Sequence, residues 1–221
     1  MPNPYLSIDE RLTRYHTGLT NARNVPALQS RVALYGYTPT KLDDMLDLRQ
    51  EALDAHLAQK SEYDDQYAAT AAFNTAWEKA RTAYMRLITL GRILFKDDYA
   101  TYLKLTLNQE RKYSFSGWLT QARKFYINLL ADSAALAKYA LYNTPLATIN
   151  AAKALMDTVE QANVAQAKET GEAQKATQDR DAKLDLIDDE MSEFYALAKI
   201  ACEDAPQLLE MLEIVTELEE K

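Results

Sequence analysis

The amino-acid sequence predicts an all-α protein that is internally duplicated and built on two long antiparallel helices, coiled-coil-like, with short helices capping each end. Three observations support this fold class: the composition, an internal repeat and an uninterrupted helical period. The 221 residues include five Gly and six Pro, the two residue types that most often interrupt helices. Ala, Leu, Glu, Lys and Gln are abundant, and these residues have high helix propensity. The hydrophobic content of 48% is sufficient for a packed core.

The second observation is the internal repeat. A shift of 107 positions aligns residues 7–97 with residues 114–204 without a gap. Of these 91 aligned pairs, 18 are identical. Residues 33–35 (Ala-Leu-Tyr), for example, fall on residues 140–142. We therefore predict two structural repeats, residues 1–106 and 107–221, each with two short helices and one long helix. Together they are expected to form one pseudo-two-fold unit, as a fused homodimer would.

Amphipathic stretches predict the two short helices at the start of each repeat. They span residues 6–22 and 25–35 in the first repeat and residues 115–130 and 133–142 in the second. A Thr-Pro pair then follows in both repeats, at Thr38-Pro39 and at Thr144-Pro145. Because Thr caps helices well and Pro suits the first helical turn, each pair predicts the start of a long helix.

The third observation is the spacing of residues along each long segment. From Ile149 to Ala201, steps of alternately three and four residues keep one phase without a slip, which favours a single unbroken helix. Gly171 lies in the middle of this segment and Asp64 lies at the equivalent position of the first, and either residue could mark a turn. The alternative is therefore a compact multi-helix bundle with hairpins near Asp64 and Gly171.

The composition also limits the functional class. The net charge of −8 argues against a general nucleic-acid binder, because contacts with phosphates require a basic face. A single Cys excludes an intramolecular disulfide and suits a reducing compartment. The sequence shows neither a signal peptide nor a run of the ~18 apolar residues that a membrane-spanning helix needs. We therefore expect a cytoplasmic protein that does not enter a membrane.

No set of residues predicts an active site. His16 and His56 lack the Glu-x-x-His partners of a di-iron bundle, and the five Gly are too far apart for a phosphate-binding loop. Cys202, beside Glu203 and Asp204, is predicted to be a small buried hydrophobe and not a nucleophile. One acidic cluster could bind a divalent cation loosely, although such clusters usually only solvate a helix surface. It consists of Asp185, Asp188, Asp189, Glu190 and Glu193. The sequence thus predicts no enzyme, no cofactor and no metal site.

One segment, residues 115–126, mixes aromatic and cationic side chains. It could contact a partner protein or a lipid, or stack on single-stranded nucleic acid. The candidate contact residues are Trp118, Arg123, Lys124 and Tyr126. Core packing is the favoured interpretation, because Phe115, Leu119, Ala122 and Tyr126 share one helical face.

Several motifs together resemble a group of uncharacterised bacterial all-helical proteins with an internal duplication. They are residues 33–39 (Ala-Leu-Tyr-Gly-Tyr-Thr-Pro), residues 118–126 (Trp-Leu-x-Gln-Ala-Arg-x-Phe-Tyr), residues 162–177, Met191-Ser192-x-Phe194 and residues 206–210 (Pro-Gln-Leu-Leu-Glu). The resemblance covers most of the chain. It implies a bacterial, cytoplasmic protein, and it carries no activity that could be assigned to particular residues.

The function that these observations favour is that of a non-enzymatic interaction or scaffolding protein with a rigid helical spacer. Its partners are expected to be another protein or further copies of itself, and nucleic acid is not expected to be a partner. The alternative is a ligand- or nucleic-acid-binding module that uses the aromatic and basic segment from Trp118 to Tyr126.

Overall fold

The computed structural model describes residues 6–214, and it confirms the all-α prediction. These residues form eight helices and no strand. The helices are α1 (Ile8–Asn24), α2 (Pro26–Ala33), α3 (Pro39–Leu94), α4 (Tyr99–Lys104), α5 (Phe115–Leu130), α6 (Ser133–Leu141), α7 (Leu146–Ala201) and α8 (Gln207–Glu210). Within the same residues, no helix combines the length and the apolar character that crossing a membrane requires.

The two long helices are unbroken. α3 and α7 contain 56 residues each, and the backbone is helical at both Asp64 and Gly171. The alternative with hairpins at these two positions is therefore wrong. A Gly inside a helix costs only about 1 kcal/mol relative to Ala, so a helix of this length tolerates Gly171.

The helix boundaries recur along the chain. The starting residues of α1 and α5, Ile8 and Phe115, are 107 positions apart, and the same spacing separates the starts of α3 and α7. The four described residues with positive φ also form two such pairs. They are Gly36 with Asn143, and Thr106 with Glu213. Both recurrences are expected of an internal duplication. The duplication stays a prediction.

The chain folds into two compact units. Among the described residues, unit 1 combines residues 6–64 with residues 171–214, and unit 2 consists of residues 65–170. Each unit therefore contains one end of α3 and the opposite end of α7.

Unit 1 has an aliphatic core with a few aromatic side chains. α1 begins with a capping box, in which the Ser7 hydroxyl accepts from the Glu10 amide and the Glu10 carboxylate accepts from the Ser7 amide. Leu12 and Leu19 of α1 are fully buried. α3 and α7 run antiparallel here, since Lys41 pairs with Glu190 whereas the later Glu51 pairs with the earlier Lys183.

Unit 2 has an aromatic core. α5 and α6 cover the end of α3 and the start of α7, and their fully buried residues include Phe125, Tyr126 and Tyr139. Gln121 of α5 fixes the preceding loop, because its side chain donates to the carbonyl of Glu110 (2.7 Å) and accepts from the amide of Lys112 (3.0 Å). The cap over the helix pair is therefore held by both apolar packing and hydrogen bonds.

Candidate interaction surfaces

The four predicted contact residues do not form one surface. Trp118 is 2% exposed and packs against Trp77 and Phe115, and Tyr126 is also fully buried. Arg123 is exposed and forms an ion pair with Glu160 of α7, while Lys124 is exposed. In this conformation the two aromatic side chains belong to the core of unit 2, so they are not available for stacking on nucleic-acid bases.

The buried aromatic side chains also lack the chemistry of a catalytic site. The hydroxyl of Tyr84 accepts a hydrogen bond from Arg111 (2.5 Å), and the hydroxyl of Tyr139 donates to the carbonyl of Leu87 (2.8 Å). Burial raises the pKa of Tyr126 and of Tyr139 above the ordinary range for tyrosine. These phenols therefore stay protonated and cannot serve as bases near neutral pH.

Two further residues singled out by the sequence are buried. Cys202 is fully buried, which confirms the prediction of a small core residue, and burial raises the pKa of its thiol. His56 is also buried, and its pKa is lowered mainly by that burial. A protonated thiol is a poor nucleophile, so Cys202 offers no reactive group.

The acidic cluster on α7 contains one carboxylate that differs from the others. Asp188 accepts a hydrogen bond from the hydroxyl of Tyr15 (3.0 Å) and forms an ion pair with Arg11 (3.0 Å). Its pKa is raised, because desolvation by burial outweighs these two favourable contacts. Asp188 is therefore held by contacts within unit 1, whereas Asp185 and Asp189 are exposed.

A first apolar surface lies at the turn between α2 and α3 in unit 1. Leu34 is 84% exposed and Tyr35 is also exposed. The turn is fixed by Gly36 at φ 93° and by a hydrogen bond from the amide of Tyr37 to the carbonyl of Val32 (3.2 Å).

The end of α7 is held at the same end of unit 1. Arg31 of α2 donates to the carbonyl of Ala201 (3.1 Å) and forms an ion pair with Asp204. The last turn of α7 is therefore held against α2, at the same end of unit 1 as the exposed Ile200. We call Leu34, Tyr35 and Ile200 the unit 1 corner.

Unit 2 presents the same arrangement at the turn between α6 and α7. Leu141 is 82% exposed and Tyr142 is also exposed. Asn143 has φ 54°, and the amide of Thr144 donates to the carbonyl of Tyr139 (3.2 Å).

The end of α3 lies beside this turn. The Nζ atom of Lys138 is 4.8 Å from the centre of the Phe95 ring, and Tyr139 packs against the same ring. These contacts hold the last turn of α3, with the exposed Ile93, against α6. We call Leu141, Tyr142 and Ile93 the unit 2 corner.

The two corners carry identical residues at equivalent positions. Leu34 and Leu141 are 107 positions apart, and the same spacing relates Tyr35 to Tyr142 and Ile93 to Ile200. Other identical pairs have an evident structural role, as in Ser7 and Ser114, which cap α1 and α5. The exposed Leu, Tyr and Ile side chains contribute little to either core. Their identity therefore has no evident role in core packing.

Sequence reasoning missed these corners, although the repeated Ala-Leu-Tyr motif was a signal for them. Comparisons with protein-family models, with curated proteins and with solved structures find no match for this chain.

Proposed function

We propose that the protein is a non-enzymatic interaction or scaffolding protein that binds protein partners through the unit 1 corner and the unit 2 corner. The observation that supports this proposal is the pair of exposed Leu-Tyr motifs with an exposed Ile at the same end of each unit. Neighbouring apolar side chains that stay exposed on a protein surface often mark a site of association.

The chemistry of the corners suits a protein partner better than nucleic acid. Aromatic residues are enriched at the centres of protein interfaces, where their apolar area is removed from water. Each corner supplies a Tyr together with a Leu and an Ile, and the chain carries a net charge of −8. Binding through these side chains is expected to depend only weakly on salt, unlike binding through phosphate contacts.

The turns also support recognition because their backbones are fixed. In each corner a residue with positive φ follows the Leu-Tyr pair, and a hydrogen bond closes the turn. A surface that is ordered before binding loses less conformational entropy when the partner docks. Two equivalent corners on one chain would allow one partner molecule at each.

The test is capture of partners by the tagged full-length chain and by corner variants in cells of the source organism. The baits are the wild type, L34E, L141E and the double variant, and I127E is the matched control because Ile127 is exposed but lies outside both corners. We expect each single variant to lose part of a common set of partners and the double variant to lose the whole set. Retention of every partner by the double variant would overturn the proposal.

A further inference from the structure

A groove between α3 and α7 opens on the surface of unit 2. Two adjoining cavities of about 560 Å³ and 490 Å³ form it, and both are lined by Lys79 and Leu155. On α3 the lining extends from Ala71 to Leu87, which is about 24 Å at ~1.5 Å per residue. That length matches about four turns of a docked helix.

The floor of the groove consists mainly of Ala and Thr side chains. Ala72, Ala76 and Ala83 line it on α3, and Ala151 lines it on α7. Small side chains let another helix approach closely, so that the larger side chains of the incoming helix fill the groove.

The rim of the groove carries cations without partners. Lys79 and Arg86 are exposed, and neither forms an ion pair with another residue in the described range 6–214. They are seven positions apart on α3, and therefore about 10 Å apart along the same side of the helix. Glu78 also lines the groove, so its charged lining consists of two cations and one carboxylate. The balance is positive and suits an acidic helix surface.

The two units have opposite charge balances. The described residues of unit 1 include 21 Asp and Glu against 11 Lys and Arg, whereas those of unit 2 include 9 Asp and Glu against 13 Lys and Arg. Unit 1 of one molecule and unit 2 of another therefore attract each other at low ionic strength.

Unit 1 also presents a helix surface that fits the groove. Leu186 of α7 is 54% exposed. Asp185, Asp189 and Glu193 follow one another at four-residue spacings along one side of Leu186. None of these three carboxylates forms an ion pair with another residue in the range 6–214. They span eight positions, or about 12 Å, close to the span of Lys79 and Arg86. We call these four residues the acidic face.

We propose that a second copy of this chain docks its acidic face into the groove of unit 2, with Leu186 on the Ala-rich floor and the carboxylates beside Lys79 and Arg86. The contact joins two different surfaces, so each added copy leaves one groove and one acidic face free. Such a head-to-tail contact extends into an open chain unless its rotation closes a ring. The proposal does not involve the corners and is independent of their function.

Sedimentation velocity of the full-length chain over a range of concentrations tests this proposal. At an ionic strength of ~0.01 M the Debye length is ~30 Å, and at ~1 M it is ~3 Å. We expect species larger than the monomer to accumulate with concentration at the low ionic strength and to dissociate at the high one. A chain that stays monomeric at low ionic strength would overturn the proposal and leave the groove for a different protein.

Two double variants identify the surfaces. K79E/R86E alters only the groove and D185N/D189N alters only the acidic face, and each is expected to weaken self-association by about tenfold or more. The two variants mixed are expected to form a 1:1 dimer that grows no further, because each contributes the one intact surface that the other lacks. R81E/K124E is the control of equal charge, since both side chains are exposed and line no part of the groove. Equal loss in this control, or no dimer in the mixture, would contradict the proposal.

Discussion

Asn21 and Asn128 make the same hydrogen bond in two different units. The side-chain amide of Asn21 donates to the carbonyl of Met211 (2.7 Å), and that of Asn128 donates to the carbonyl of Lys104 (2.5 Å). The two Asn are 107 positions apart, and so are their two acceptors. In unit 1 the bond ties α1 to the residue that follows α8, and in unit 2 it ties α5 to the last residue of α4.

We expect N21A and N128A to destabilise the protein by similar amounts, about 1 kcal/mol each, because each removes one hydrogen bond. Urea unfolding followed by circular dichroism measures this change. N150A is the control, since Asn150 is exposed and forms no side-chain hydrogen bond with a described residue. An effect of N150A as large as that of the other two would show that the hydrogen bond is not the cause.

Two glycines in the long helices are expected to respond oppositely to Ala. A Cβ atom at Gly91 would lie 2.3 Å from the hydroxyl of Tyr139, which is buried and bonded to Leu87. A Cβ atom at Gly171 would meet no atom within 4 Å. We expect G91A to lower the unfolding free energy by about 1–3 kcal/mol through overpacking and G171A to raise it by up to about 1 kcal/mol through helix propensity.

Thermal and urea unfolding of both variants test this difference. In the background of Y139F, which removes the clashing hydroxyl, the cost of G91A should be smaller than in the wild type. An equal cost in both backgrounds would contradict the assigned contact.

Asp188 is expected to make stability depend on pH. Burial raises its pKa above the ordinary value, so the folded state holds this proton more tightly than the unfolded chain does. The contribution of this proton to the unfolding free energy is therefore fully present below ~3.9, the pKa of an Asp in the unfolded chain. It is lost as the pH rises through the higher pKa that Asp188 has in the folded state. The difference in unfolding free energy between the wild type and D188N should then decrease as the pH increases over this window.

Urea unfolding of both proteins at a series of pH values measures that difference. The groups that face Asp188 are Tyr15, Arg11, Asp185 and Asp189, and all remain in D188N. D179N controls for the loss of one exposed carboxylate. A difference that grows with pH would mean that the ion pair with Arg11, and not burial, dominates the titration of Asp188.

Substitutions in the corners are expected to leave the fold intact. Leu34 and Leu141 are both highly exposed, so L34E and L141E should change the unfolding free energy by no more than about 0.5 kcal/mol. The same urea measurements check this. A loss of several times that amount would show that the corners serve stability and would remove them as contact surfaces.

The sequence predicted those parts of the fold that depend on local pattern. The unbroken helical phase from Ile149 to Ala201 was sufficient to favour α7 as one long helix. The two Thr-Pro pairs correctly located the starts of α3 and α7. The shared face of Phe115, Leu119, Ala122 and Tyr126 likewise favoured core packing for the segment at Trp118, as the structure shows.

Features that depend on tertiary packing could not be predicted in the same way. α4 and α8 contain six and four residues, too few to show a helical period. Leu34 and Tyr35 continue the apolar pattern of α2, yet they are exposed because the chain turns at Gly36. The groove was also hidden, because its floor combines Ala and Thr residues from helices far apart in sequence.

The most direct test of the proposal, that the two corners bind a common set of protein partners, is site-specific photo-crosslinking. A photoreactive amino acid replaces Tyr35, Tyr142 or the exposed Tyr113, which belongs to neither corner, in cells of the source organism. We predict crosslinks to the same protein from positions 35 and 142 and none to that protein from position 113. Different proteins at the two corners, or equal crosslinking from position 113, would contradict the claim.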